Sequence, residues 1–168
     1  MAICPILTTP NPILRKKARR VQTIDKAIHK LVADMMDTLK DAAGLGLAAP
    51  QVGISLRLCV LHMPEEEPFA LVNPEVVKRI GQREVVEGCL SIPGYQGKIK
   101  RSIEVTIKGL DLEGKPVRFK ARETLAQALE HEIDHLNGVL YIDYLESPDK
   151  LDKVEQKPAQ VREAVNAE

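Results

Sequence analysis

His131-Glu132-Ile133-Asp134-His135 is the stretch on which the reading of this chain turns. Positions four apart share one face of a helix, so both imidazoles can reach a single metal ion. Glu132 then projects beside the position where a bound water would sit. A first-row metal lowers the pKa of such a water towards neutrality, and a nearby carboxylate can take its proton. The flanks read as helix. Thr124 to Leu136 contains no Pro or Gly, Leu125, Ala128, Leu129 and Leu136 mark an apolar stripe, and Asn137-Gly138 supplies a stop. The competing reading is a chance grouping of two histidines and a glutamate on a solvated helix face.

Outward from the motif, 168 residues fit one domain with a real core. Lys and Arg number 24, as do Asp and Glu, so charge gives no case for nucleic acid or for an anionic membrane. No apolar run is long enough to span a bilayer. Three cysteines, an odd count, make no disulfide framework, and the start Met1-Ala2-Ile3-Cys4-Pro5 lacks a secretory layout. A reducing cytoplasm is the expected compartment.

Before the motif, Thr9-Pro10-Asn11-Pro12 is a rigid lead-in, and Arg15-Lys16-Lys17-Ala18-Arg19-Arg20 reads as a solvated basic segment. Ile28, Leu31, Val32, Met35 and Leu39 predict a helix capped by Thr23 or Asp25 and stopped at Gly44. Gly44-Leu45-Gly46-Leu47-Ala48-Ala49-Pro50-Gln51 is neither a phosphate loop nor a dinucleotide fingerprint; it is a packing turn or a binding edge. Strands are expected from Ile54 to His62, from Phe69 to Val72 with Asn73-Pro74 ending it, at Val76-Val77 and Val85-Val86 around Gly81, at Ile103 to Ile107, and from Val117 after a turn at Glu113-Gly114-Lys115. From Ser147 the chain is charged, with Pro158, and reads as a fraying surface helix or a disordered tail.

A catalytic metal ordinarily has three protein ligands. Tyr141 stands where a metzincin would have its third His, and Glu146 and Glu155 are poor candidates for a thermolysin-like third ligand. His29 is expected at a helix edge. Cys59 and His62 point to opposite faces of a strand, and Cys59 reads as a small core hydrophobe. Cys4 lies near the terminus. Cys89 differs: it sits in Glu87-Gly88-Cys89-Leu90-Ser91, before an expected turn at Pro93-Gly94, with no core to fill. A thiolate with two imidazoles suits Fe(II), Zn(II), Co(II) or Ni(II). A half-buried loop thiol is the equal alternative.

Three strings thus stand in order: Gly44 to Gln51, Glu87 to Ser91, and His131 to His135. Together they resemble the three signature motifs of peptide deformylase, and the likeness runs from about Pro10 to Tyr144, including Asn11-Pro12-Ile13-Leu14-Arg15 and Val72-Asn73-Pro74. The resemblance implies a single-domain α+β fold with antiparallel or mixed sheets packed around a central metal-binding helix. The catalytic domain would be residues 1–147 and the charged tail 148–168. It implies one divalent metal ion on Cys89, His131 and His135, Fe(II) as the native ion with Zn, Ni or Co able to replace it. It implies removal of the N-formyl group from the formylmethionine of new proteins. In that reaction metal-bound hydroxide attacks the formyl carbon, Glu132 is general base and then acid, and the Gln51 amide and Leu90 N–H stabilise the oxyanion. The nascent peptide would lie along Gly44, Leu45 and Gly46 as an added strand, with Leu45 and Ala128 walling the methionine pocket. Implied partners are nascent formylmethionyl polypeptides, with transient ribosome contact, no specific nucleic acid and no membrane; a monomer is expected. This chain departs from the family pattern in Glu130, commonly Gln there, and carries no arginine near Gly94-Tyr95-Gln96. Arg101 matches a recurrent family arginine and is expected to be structural. Two rivals remain: an H-E-x-x-H metallopeptidase, which would need a third His or Glu ligand, and a non-catalytic metal-stabilised binding module, which would need a fourth.

Overall fold

The structure, a computed structural model, describes residues 2–154. Helix α1 spans Lys26–Ala42 and helix α2 spans Glu123–Leu136. The strands are β1 (Gly46–Ala48), β2 (Leu58–Leu61), β3 (Phe69–Ile80), β4 (Arg83–Cys89), β5 (Ile92–Arg101), β6 (Glu104–Leu110), β7 (Pro116–Arg122) and β8 (Leu151–Lys153). They form a five-stranded sheet ordered β1-β2-β3-β6-β7 and a three-stranded sheet ordered β4-β5-β8. Every ladder is antiparallel, the one parallel pairing among the described residues being the isolated bridge Arg19–Leu56. The fold is α+β, as the sequence led us to expect. Among the described residues no helix is long and apolar enough to cross a membrane.

The large sheet is buried on both faces where α1 and α2 cover it. Strand alternation divides the work: Leu58 and Val60 face α1 with Val32, Met35 and Leu39, whereas Cys59 and Leu61 face α2 with Leu129, Ile133 and Leu136. The same split assigns Leu47 and Val72 to one side and Ala48 and Leu71 to the other. Each fully buried leucine here contributes about 2 kcal/mol of transfer free energy. A smaller cluster of Val85, Ile92, Ile99, Leu140 and Tyr141 anchors the second sheet.

Helix α2 therefore lies in the interior, and its C-terminal end is satisfied there. Ala18 N–H donates to Leu136 O at 2.8 Å, and Arg57 Nη1 reaches the same carbonyl at 2.9 Å, a cation at the negative end of the helix. Gly138 stops the helix at φ 74°, and a Cβ there would lie 2.5 Å from Arg15 O, so both the turn and the chain crossing require glycine.

Several boundaries differ from expectation. Asp25, not Thr23, caps α1, accepting from Ile28 N–H at 3.1 Å, and Ala43 rather than Gly44 takes the left-handed conformation. The strand expected over Ile54 to His62 is confined to Leu58–Leu61. Asn73-Pro74 does not end β3; it makes a bulge, because Asn73 adopts φ 50° and its amide bonds both backbone groups of Val21. Val76-Val77 therefore belongs to β3, while Val85-Val86 lies in the other sheet. Pro93-Gly94 is not a turn. It lies in β5, and the turn is Leu90-Ser91, so Cys89 ends a strand instead of sitting in a loop. At the tail, Pro148–Lys150 forms a short turn and β8 pairs with β5. The expectation for residues 155–168, Glu155 and Pro158 included, lies outside the described residues.

Candidate metal centre

The period of α2 sets His131 and His135 on one face, and the β4–β5 turn brings Cys89 to them. The two Nε2 atoms lie 3.2 Å apart, Cys89 Sγ lies 3.3 Å from His135 Nε2, and all three ligand atoms fall within 4.8 Å of one another. Among the described residues no other set of three such side chains does this. His29 is exposed, Cys59 is buried in the core, and Cys4, whose N–H bonds Thr38 Oγ1 on α1, is not part of the cluster.

A second ring of polar groups fixes the first. Glu87 precedes Cys89 by two on β4, and although the ladder to β5 is irregular between them, both line the same groove. Glu87 Oε1 lies 2.5 Å from His131 Nδ1, which leaves Nε2 to point at the cluster. Arg101 donates to Glu87 at 3.0 and 2.5 Å and to Asp134 at 2.7 Å. Tyr144 O–H also donates to Asp134, at 2.8 Å, and its ring lies 5.1 Å from the Arg101 guanidinium. One buried arginine thus ties β4 to α2 immediately behind the histidines. Burial alone would push Glu87 up, but the bonds from His131 and Arg101 reverse this and hold it at about 2. Burial works against charge on His131 as well, yet Cys89 and Glu87 outweigh it, so this ring binds a proton well above the ordinary histidine range. His135 beside it is driven well below that range by burial and by His131. The corner thus favours one cationic species, and a thiolate and two imidazoles is a donor set that fits a first-row divalent ion.

Glu132 lies 3% exposed, and its Oε1 has no hydrogen-bond partner. Burial pushes its carboxyl up to about 7. The reason it can sit there is Gly46: a Cβ at that position would meet Glu132 Oε2 at 2.5 Å and Cγ at 2.9 Å. Because the clash is with a flexible side chain, Gly46→Ala is expected to fold normally, keep its metal and lose about tenfold to a hundredfold in kcat as Glu132 is displaced. Unchanged kcat with an unchanged melting temperature would contradict the crowding argument.

Gln51, 1% exposed, is oriented without ambiguity. Its Oε1 accepts from Ala48 N–H at 2.9 Å, so Nε2 faces Ser91 Oγ at 3.1 Å and Cys89 Sγ at 3.7 Å. Leu90 heads the turn outside the ladder pairs of β4 and β5. Gly44, Leu45, Gly46, Gln51, Cys89, Leu90, Ala128, His131 and Glu132 all line one open groove of about 390 Å³, so every residue singled out in the sequence except the more deeply set His135 meets there. The sequence reading gave no site role to five of its walls: Val86, Glu87, Gly88, Thr124 and Gln127. Only Glu87 carried a signal, its two-residue spacing from Cys89. Glu130 does not face the cluster. Its carboxylate accepts from Ser102 N–H at 2.8 Å, Ser102 Oγ at 3.1 Å and Arg79 Nε at 3.0 Å, locking α2 to the large sheet.

A buried carboxylate with a free oxygen beside a Cys-His-His corner, lining an open groove, is the arrangement of a metal-dependent hydrolase. The model of the polypeptide deformylase family matches residues 3–151, and the chain belongs to that family. A peptide deformylase of Dehalococcoides mccartyi strain CBDB1 is 53% identical over 167 residues, covering 97% of this chain and all of that one. The crystal structure of a peptide deformylase from Legionella pneumophila superposes with a TM-score of 0.84 at 42% identity, over 99% of this chain and 92% of the other. A class I type b peptide deformylase from Acinetobacter baumannii, solved with Met-Ala-Ser bound, gives 0.83 at 30% identity, over 86% and 99%. The chain is accordingly a deformylase, a metalloenzyme that removes the formyl group from nascent formylated polypeptides.

Proposed function

We propose that Glu132 is the general base and acid of this deformylation, with Cys89, His131 and His135 holding one divalent ion. The observation that carries this reading is the buried Glu132 carboxylate with a free oxygen at the groove floor, wedged against Gly46. When bound, the ion, Fe(II) natively with Zn, Ni or Co as substitutes, supplies Lewis acidity that polarises the formyl carbonyl and acidifies water. Glu132 takes the proton of the attacking water and passes it to the departing amine. The Gln51 Nε2 amide and the Leu90 N–H donate to the oxyanion as it forms. The peptide adds to the free edge of β1 through Gly44, Leu45 and Gly46, so main-chain bonds hold it and the sequence beyond the first residue matters little. Leu45 and Ala128 flank the first side chain, consistent with an apolar methionine. The peptide bound in the Acinetobacter relative, Met-Ala-Ser, likewise begins with methionine.

Residues 1–147 would form the catalytic unit, with 148–168 a charged extension. The chain would act as a cytoplasmic monomer, meeting the ribosome transiently because its substrate is a growing chain. The test is formate release from a formyl-methionyl peptide by anaerobically metallated protein, run beside casein. Formate without casein cleavage is expected; casein fragments without formate would return the metallopeptidase reading.

A further inference from the structure

One residue of the groove, Gln127, has no task in the chemistry above. Helix α2 presents Thr124, Gln127 and Ala128 to the groove, which Leu45, Val86 and Leu90 also line. Leu45, Val86, Leu90 and Ala128 are apolar; Thr124, near the start of α2, and Gln127 are not. Gln127 is half-buried, and its Nε2 donates to Glu87 Oε2 at 3.2 Å. A carboxylate only accepts, so the NH2 end of the amide must face Glu87. That leaves the second N–H of the same nitrogen without a partner among the described residues. Arg101 and His131 hold Glu87 in place, so the amide hangs from a fixed anchor. Gln127 lies four residues before His131 on the same helix, about 6 Å along the axis. In a formyl-methionyl peptide the sulfur stands three bonds from Cα on one side, and the formyl carbon two bonds on the other. With the formyl group at the histidines, the tip of the first side chain comes level with Gln127.

We infer that Gln127 is a specificity-determining residue: its free N–H bonds the tip of the first side chain, so the groove accepts formyl-methionine sulfoxide as well as formyl-methionine. This rests on the deformylase reading of the groove. A thioether sulfur is a weak acceptor, and oxidation turns the same side chain polar. Against hydrocarbon alone the sulfoxide oxygen gives up water for no partner and is disfavoured. An amide there removes the penalty. Norleucine, of the same shape as methionine but with no acceptor, gains nothing from it.

The experiment compares kcat/KM by formate release for the parent, Gln127→Leu and Gln127→Met on three peptides differing only in the formylated first residue: methionine, its sulfoxide and norleucine. The parent is expected to process the sulfoxide within about tenfold of methionine. Both variants should lose about tenfold or more on the sulfoxide while staying within about twofold of the parent on norleucine. An unchanged sulfoxide-to-methionine ratio would overturn the proposal. So would an equal loss on all three peptides, since Gln127 would then act only by steadying Glu87 and His131. No formate from any peptide with the metallated parent would strike the deformylase reading itself, and the specificity proposal would fall with it.

Discussion

Glu132→Gln is expected to purify with the parent's full metal content and to release formate about a thousandfold more slowly, within the range of about 10²–10⁴ for loss of a positioned base. The substitution is nearly isosteric, and Glu132 Oε1 has no protein partner, so neither fold nor metal affinity should change much. A kcat effect without a KM effect marks an interaction made in the transition state. The sign of the pH dependence follows from the ionised form being the active one. Metal-free, the buried carboxyl sits at about 7. A bound dication favours the carboxylate and lowers that value, so turnover falls as pH is taken down from below neutrality. Near-parental turnover in Glu132→Gln would remove Glu132 from the chemistry.

Arg101→Ala is the second large effect, and it is one of stability. Arg101 and Glu87 are 3% and 4% exposed along their side chains, and Asp134 is 14% exposed. Removing the cation deprives the Glu87 and Asp134 carboxylates of the guanidinium they share, at a cost of about 3–5 kcal/mol. Thermal unfolding reads this directly. The same network sets an acid limb. Glu87 is depressed from 4.5 to about 2 in the fold, so its contribution is fully present above pH 4.5 and is lost as the pH falls towards 2. In Arg101→Ala that limb should move to higher pH. The double variant Glu87→Gln, Arg101→Met should lose less than the two single losses combined, because it leaves fewer unpaired charges. Additive losses would show that the pair is not a unit.

The helix that carries the motif was legible in the sequence nearly to the residue, since an apolar stripe, an Asn-Gly stop and the absence of Pro are local signals. The metal-ligand set was legible only in part: the two histidines follow from helical spacing, but Cys89 needed a contact across 42 residues to His131, and spacing alone left it level with an ordinary thiol. What stayed hidden was tertiary. Pro93-Gly94 carries a turn signature, yet it lies in β5 because the ladder to β4 and the packing of Ile92 and Ile99 on Tyr141 outweigh local preference. Asn73-Pro74 looks like a strand end, yet the Asn73 amide finds both backbone groups of Val21, 52 residues away, and makes a bulge instead. Gly46 could be seen as a permissive residue, but not that the space it leaves is filled by Glu132. Glu130 reads as a departure near the site, and only the fold reveals that it turns to Ser102 and Arg79.

The grip of Cys89, His131 and His135 on one ion is tested most directly by X-ray absorption on protein metallated and held under anaerobic conditions. One sulfur scatterer at about 2.3 Å together with two imidazole nitrogens is the expected inner shell. A shell of nitrogen and oxygen with no sulfur would contradict the account.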